Sequence, residues 1–159
     1  MQKITTFLWF DDNAEEAMNF YVSVFKNSKI GRVSRMPKGT PGPGPGPVIT
    51  GSFTLEGQEF MALNGGPRFR FTEAISLFVS CENQAEVDEL WAKLTADGGS
   101  ESQCGWLKDK FGLSWQIIPT ALGRLLGDPD PARAQRALQA MLKMQKIDVA
   151  TLEAAAAAS

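Results

Sequence analysis

The chain has 159 residues, of which 43% are hydrophobic and 21% are charged, and its formal net charge is −2. This length and composition suit one compact domain, or two small closely packed halves, of an ordinary globular protein. The scattered basic residues exclude the concentrated positive surface that binds nucleic acid or an anionic membrane. Because no stretch predicts a signal peptide or a membrane span, we expect a cytoplasmic protein.

Histidine is absent from the chain, and the only cysteines are Cys81 and Cys104. The absence of histidine removes the commonest general base, the usual ligand of zinc and iron, and every catalytic pair of serine or cysteine with histidine. Chemistry would therefore depend on carboxylates, lysine, Tyr21, cysteine or a cofactor. Cys81 ends an apolar run and is predicted to be a small buried side chain, whereas Cys104 is predicted to be more accessible but still structural.

The first half of the chain predicts a strand, a helix and three further strands. Ile4–Phe10 is rich in aromatic and branched residues, and apolar residues recur at helical spacing over residues 14–25. Asn13 directly precedes this helix, and Glu16 lies three residues after Asn13. This is the spacing of a helix N-terminal cap. The three further strands are expected at Lys29–Met36, Val48–Leu55 and Gln58–Leu63.

A run rich in proline and glycine, PGPGPGP, lies within residues 37–47. Proline cannot donate a hydrogen bond to a sheet and glycine leaves the backbone supple, so the run predicts a long hairpin loop, with a lid over a site as the alternative. A phosphate-binding loop is excluded because the lysine and hydroxyl residue that end such a motif are missing.

The second half repeats the order of the first. Glu73–Cys81 predicts a strand, Asn83 and Glu86 repeat the capping spacing, and an apolar stripe that includes Trp91 predicts a helix packed on a sheet. Three strands are expected near Gly99–Gln103, Cys104–Asp109 and Leu113–Ile118. The sequence therefore predicts an α+β fold built from two βαβββ modules, at about residues 1–66 and 67–119, within a domain of residues 1–119.

Residues 120–159 predict a helical extension. Asp130 caps one helix that Pro131 opens, and Asp148 begins a last helix that runs into Ala154–Ala158. The alanine run has a high helix propensity, but we expect it to bury little surface and to fray. The extension is expected to pack on the sheet or on a second subunit.

Four segments of the chain together resemble one known family. They are FLWFDDNAEEAMNFYVSVF at Phe7–Phe25, FMALNGGPRFRF at Phe60–Phe71, CGWLKDKFGLSWQIIP at Cys104–Pro119 and DPDPARAQRALQAMLKMQKID at Asp128–Asp148. They resemble the PhnB-like proteins, also called demethylubiquinone methyltransferase-like domains, a branch of the glyoxalase/bleomycin-resistance/dioxygenase (vicinal oxygen chelate) superfamily. The resemblance implies paired modules that curve a largely antiparallel sheet around a cleft, usually in a homodimer.

Metal-dependent members of that superfamily take two ligands from each module, typically histidine, glutamate or glutamine. The resemblance places these positions at Thr6, at Leu63 or Asn64, at Ala74 and at Gln116. Threonine and alanine are not firm ligands for a divalent transition metal, and Gln116 alone cannot hold one. We therefore expect no metal and no cofactor, and neither a conventional metal-dependent glyoxalase nor a dioxygenase.

A true methyltransferase is also not expected. Enzymes that use S-adenosylmethionine usually carry a glycine-rich turn between a strand and a helix, and neither Asp11–Asn13 nor Glu82–Gln84 contains a glycine.

The candidate ligand-binding residues lie on the first strands and the hairpins of the two modules. Aromatic side chains with a few polar ones would suit a small planar or partly apolar ligand. The same aromatics could instead fill the core or a dimer interface, as Trp91 is expected to do, together with either Trp106 or Trp115. The candidates are Trp9, Asp11, Asn64, Phe69, Phe71, Trp106, Lys108, Trp115 and Gln116.

Three functions remain open from the sequence. The first, which we favour, is a metal-free small-molecule-binding module of the bleomycin-resistance kind. The second is a superfamily enzyme, such as a lyase, isomerase or dioxygenase, with an atypical metal site or with Asp11 as a base and Lys108 as the partner of an anion. The third is an interaction protein whose dimer surface includes Ala132–Leu152. Exposed strand edges predict a homodimer, because a second chain can cover them. We also expect a small organic ligand as a partner, and neither nucleic acid nor a membrane.

Overall fold

The structure is a computed structural model that describes residues 2–37 and 48–158. The chain divides into two compact units between Phe71 and Thr72. None of the helices in the described part of the chain has the length and the apolar run that a membrane span needs. The cytoplasmic location and the cleft around which the modules would curve stay predictions.

The first unit has the predicted order of a strand, a helix and three strands. The sheet order is β1-β4-β3-β2, in which β1 pairs with β4 in parallel and the other neighbours are antiparallel. Most of the predicted Pro/Gly hairpin loop, residues 38–47, lies outside the described residues. The elements are β1 (Thr6–Phe10), α1 (Ala14–Val24), β2 (Lys29–Arg35), β3 (Val48–Leu55) and β4 (Gln58–Asn64).

One face of this first sheet packs on α1. Side chains alternate between the two faces of a strand, so every second residue of β1, β3 and β4 points to the helix. Phe53 stacks with Tyr21 of α1 and with Phe60, at ring-centroid distances of 6.1 and 5.4 Å. Gly51 lets Met18 come close, because a Cβ at residue 51 would lie 2.6 Å from Met18 Cε. The opposite face carries the half-buried and exposed side chains of the sheet.

The second unit repeats this order and adds three helices. Its sheet order is β5-β8-β7-β6, again with one parallel pair, β5 with β8. The repeat confirms the predicted α+β fold of two βαβββ modules with C-terminal helices. The elements are β5 (Ser76–Cys81), α2 (Gln84–Thr95), β6 (Ser100–Glu101), β7 (Trp106–Lys108), β8 (Ser114–Pro119), α3 (Thr120–Leu126), α4 (Pro131–Met141) and α5 (Val149–Ala157).

The N-termini of α1 and α2 are stabilised in different ways. Asn83 Oδ1 accepts a hydrogen bond from the backbone N–H of Glu86 at 2.9 Å, which confirms the predicted cap. Asn13 makes no such bond with its side chain, so the side-chain cap predicted there is wrong. Instead, Asn64 Oδ1 accepts a hydrogen bond from the backbone N–H of Ala14 at 2.8 Å. The acceptor comes from the end of β4, where local spacing could not reveal it.

The C-terminal helices form a second hydrophobic cluster with the end of β8. Asp130 and Asp148 cap α4 and α5 as predicted. Most of the alanine run buries little, as expected, because Ala154, Ala157 and Ala158 are exposed. Ala156 is the exception, since it is 1% exposed and packs in the cluster. Arg136 of α4 donates to the backbone oxygens of residues 155 and 156, at 3.2 and 2.8 Å, and so satisfies the last turn of α5. Helix α3 was not predicted.

The segment between α4 and α5 fastens this extension to its own unit. The side chain of Gln84 donates to the backbone oxygen of Ile147 at 2.9 Å and accepts from the backbone N–H of Val149 at 2.7 Å. The backbone N–H groups of Cys104 and Gly105 donate to residues 144 and 145 at 2.8 Å each. The extension therefore packs on the second module, and its role at a second subunit stays a prediction.

Candidate functional site

A depression of about 410 Å³ lies on the face of the first sheet opposite α1. Its volume falls within the range of small-molecule sites. It crosses the three antiparallel strands, where Ser34 is opposite Thr50 and Ser52 is opposite Met61. Three of its lining residues carry hydroxyl groups, and Met61 adds an apolar side chain. The lining residues are Arg32, Ser34, Thr50, Gly51, Ser52, Glu59 and Met61.

A β-bulge in β2 sets the position of Arg32 at this depression. Two residues of β2, Gly31 and Arg32, face the single residue Ser52 of β3. Ser52 Oγ accepts a hydrogen bond from the backbone N–H of Arg32 at 2.9 Å. Glycine at residue 31 leaves room for this hydroxyl, since a Cβ there would lie 2.5 Å from Ser52 Oγ and would displace it. Such bulges change the direction of a side chain beside binding sites.

Arg32 and Glu59 bring opposite charges to the lining. Both are exposed, and neither side chain has an ion-pair partner among residues 2–37 and 48–158. The next basic residue of β2 differs, because the guanidinium of Arg35 pairs with Glu15 at 2.6 Å. Sequence reasoning missed Arg32 and Glu59. The available signal was Gly31, because an isolated glycine within a strand often marks a bulge.

Two of the predicted site residues, Trp9 and Phe69, lie together in the first unit. Their rings meet edge to face with centroids 4.9 Å apart. Trp9 Nε1 also donates to the backbone oxygen of Gly66 at 3.0 Å. Gly65 lies against the indole so closely that any Cβ there would overlap it. Trp9 is therefore fixed by the turn that follows β4.

The other three candidates of the first unit have separate surroundings. Phe71 packs against Phe10, with ring centroids 5.3 Å apart. Asn64 caps α1, so its amide oxygen is engaged by the backbone. Asp11 is exposed, and its backbone oxygen accepts from Gly66 at 3.0 Å. None of these five candidates lines the depression described above.

In the second unit, the sheet register brings Trp106, Lys108 and Gln116 to one face. Trp106 pairs with Gln116, and Lys108 pairs with Ser114. Gln116 Nε2 donates to Ser76 Oγ at 3.0 Å. Lys108 forms an ion pair with Glu73, and the hydrogen bond from Lys108 lowers the pKa of Glu73 below its ordinary value. The anion that Lys108 meets is thus supplied by the chain itself.

Trp115 lies on the other face of that sheet, because neighbouring residues of a strand alternate. It is 2% exposed, and its Nε1 donates to Asp109 Oδ2 at 2.8 Å. Trp115 therefore belongs to the buried face of the sheet, away from Gln116, and its role in ligand binding stays a prediction. The alternative that one of Trp106 and Trp115 belongs to the core is confirmed for Trp115, and the core position expected for Trp91 is confirmed as well.

The positions that the resemblance gave to metal ligands do not share one face in the first unit. Thr6 lies on the side of β1 that carries the buried residues Leu8 and Phe10. Leu63 lies on the opposite side of the sheet, and Asn64 caps α1. Among the residues that the structure describes, no three histidine, cysteine, aspartate or glutamate side chains are grouped as a metal site would need.

Comparisons with known proteins identify relatives of the chain. A family model described as 3-demethylubiquinone-9 3-methyltransferase matches residues 2–118. A putative 3-demethylubiquinone-9 3-methyltransferase, PhnB protein, from Bacillus cereus is 44% identical with a TM-score of 0.69, over 75% of this chain and 100% of that one. Protein PA1353 from Pseudomonas aeruginosa shares the fold, with 20% identity and a TM-score of 0.56, over 75% of this chain and 98% of that one. No curated protein matches.

Proposed function

Because the chain belongs to the 3-demethylubiquinone-9 3-methyltransferase family, the PhnB-like branch of the glyoxalase superfamily that its sequence resembles, we propose that it is a metal-free module that binds a small organic molecule without converting it. The depression of about 410 Å³ on the first sheet is the observation that supports this proposal. Its hydroxyl groups, its two charges and the apolar side chain of Met61 are the kind of lining that orients a small ligand.

The name of the family describes methyl transfer, but the local chemistry of this chain favours binding. The turn from β1 to α1 is made by Asp11, Asp12 and Asn13, and the turn from β5 to α2 by Glu82 and Asn83. A nucleotide-like cofactor is usually held by glycines at such a turn, because their backbone can approach the ligand closely. The enzyme and the interaction protein remain the alternative functions.

The proposal is tested by screening neutral, anionic, cationic and zwitterionic compounds by ligand-observed NMR. Each compound that binds is then incubated with the protein alone, with S-adenosylmethionine, and with divalent metals, and is recovered for mass spectrometry. We expect at least one class to bind and to be recovered unchanged. Chemical conversion of the bound compound under any of these conditions would make the protein an enzyme and overturn the proposal.

A pair of matched variants tests whether the depression is the site. Ser34 and Ser80 are exposed serines on the edge strands β2 and β5, and only Ser34 lines the depression. We expect Ser34→Phe to fill part of the depression and weaken binding about tenfold, because the ligand loses its packing space. Ser80→Phe should leave the dissociation constant unchanged. Equal effects of the two substitutions would place the site elsewhere.

A further inference from the structure

We propose that the ligand of the depression is a zwitterion whose anionic group binds Arg32 and whose cationic group binds Glu59. This inference rests on the proposed function, since it names the class of molecule that the same depression would bind. The two side chains line one depression and carry opposite charges, and they are not paired with each other. A molecule with both charges would satisfy both residues at once.

The arginine is the better defined of the two groups. The bulge at Gly31 and the hydrogen bond from the Arg32 backbone to Ser52 Oγ fix the start of its side chain. A guanidinium is planar and offers several donors, so it can bind a carboxylate through two parallel hydrogen bonds. Its neighbour Arg35 is already paired with Glu15, which leaves Arg32 as the basic residue of β2 that lines the depression.

The backbone around Glu59 is also held in place. Gln2 Oε1 accepts from the backbone N–H of Glu59 at 3.1 Å, and Gln2 Nε2 donates to its backbone oxygen at 2.9 Å. Both bonds involve the backbone of Glu59, so its side-chain carboxylate can contact another partner. An ammonium group has three donors and no acceptor, so a carboxylate is its natural partner.

The spacing of the strands determines how such a ligand would lie. Because neighbouring strands are about 4.8 Å apart, β2 and β4 are separated by about 10 Å, with β3 between them. A ligand that lies across β3 can reach Arg32 with one end and Glu59 with the other. The hydroxyl groups of Thr50 and Ser52 then face its middle. A simple anion would meet the repulsion of Glu59, and a simple cation that of Arg32.

The experiment titrates ¹⁵N-labelled protein with three probes that have the same carbon chain: 6-aminohexanoate, hexanoate and hexylamine. We expect 6-aminohexanoate to bind about tenfold more tightly than either singly charged probe, because it makes both charge-assisted contacts. The backbone amides of Arg32 and Ser52 should shift with it. Higher salt should weaken its binding, since both charges are exposed.

Charge-removing variants assign each end of the probe. Arg32→Gln should weaken 6-aminohexanoate about tenfold without weakening hexylamine, which loses a repulsive charge. Glu59→Gln should weaken 6-aminohexanoate similarly without weakening hexanoate, for the same reason. The double variant Arg32→Glu with Glu59→Arg should recover binding of the zwitterion. Lys29→Gln is the matched control, because it removes a basic residue of β2 that does not line the depression.

The outcomes separate this inference from the proposed function. Equal binding of the three probes, or no effect of Arg32→Gln and Glu59→Gln, would overturn the zwitterion. If a compound of another class still binds and is weakened by Ser34→Phe, the proposed function stands without the inference. If no compound of any class binds, both are wrong.

Discussion

Burial changes the acid–base chemistry of one cysteine in the second unit. Cys81 is buried, and desolvation of its thiolate raises its pKa to about 12, with the nearby carboxylate of Glu86 acting in the same direction. Cys104 is partly exposed on the same unit. The assignment of Cys81 as a buried structural side chain, made from its place at the end of an apolar run, is confirmed.

The two cysteines should therefore differ in their reaction with iodoacetamide at pH 8. We expect Cys104 to be alkylated and Cys81 to stay unmodified, because the thiolate is the nucleophile and a raised pKa keeps the thiol protonated. Peptide mapping by mass spectrometry measures both sites, and urea-unfolded protein, in which both react, is the control. Equal labelling of the two sites in the folded protein would contradict the expectation.

The same pKa shift predicts a change of stability with pH. The folded protein holds the proton of Cys81 up to a pKa of about 12, whereas the unfolded thiol releases it near its ordinary value of 9.0. The stability that this difference contributes to the folded state is complete below pH 9 and is lost as the pH rises toward 12, because the unfolded thiol then releases its proton first.

At the scale of elements, the strands and helices of the modules follow their local patterns, but the contacts that fasten them do not. Asn83 caps α2 as its spacing predicts, while α1 is capped by Asn64 from a distant strand. Helix α3 begins after Pro119 without a side-chain cap, so the sequence lacks a start signal for it. Gln84 joins the start of α2 to Ile147 and to Val149 at the start of α5, across more than sixty positions of sequence.

We expect Gln84→Ala to loosen the C-terminal extension. The variant removes both hydrogen bonds that hold residues 147 and 149, which should lower the free energy of unfolding by about 1–3 kcal/mol. Hydrogen exchange should accelerate in α5 and stay unchanged in the first unit. Gln135→Ala on the exposed side of α4 is the control. Unaltered exchange in α5 would show that these bonds do not hold the extension.

At the scale of the whole molecule, we propose that the chain forms a homodimer. Edge strands offer unpaired backbone groups that a second chain can bind. Neighbouring exposed apolar side chains at such an edge are typical of a surface that binds a partner. Phe78 on the edge strand β5 is 58% exposed, and Ile75, which directly precedes this strand, is 70% exposed. A second copy of the chain would cover them.

Sedimentation equilibrium at micromolar concentration measures this state. We expect twice the mass of the chain, and Phe78→Ser should shift the equilibrium toward the monomer because it removes apolar surface from the interface. Ser80→Phe is the control, because it adds apolar surface to the same strand and should not shift the equilibrium toward the monomer. A monomer over the whole micromolar range would disprove the dimer.

The sequence by itself determined the duplicated modules, because strand alternation, helical spacing and cap residues are local features that recur along the chain. It also indicated the family, through the four segments that resemble the PhnB-like proteins. The matching family model confirms that identification. The burial of Trp115 also follows a local rule, but the face it occupies depends on the register with β7.

Only the tertiary structure decided which polar side chains line the depression and which are engaged by the chain itself. Arg32 and Glu59 are far apart in sequence and meet at one depression because β2, β3 and β4 pair in a particular register with a bulge at Gly31. Lys108 and Asn64, which the sequence suggested as ligand contacts, are engaged by Glu73 and by α1. Long-range pairing fixes these partners, and a local pattern contains no information about it.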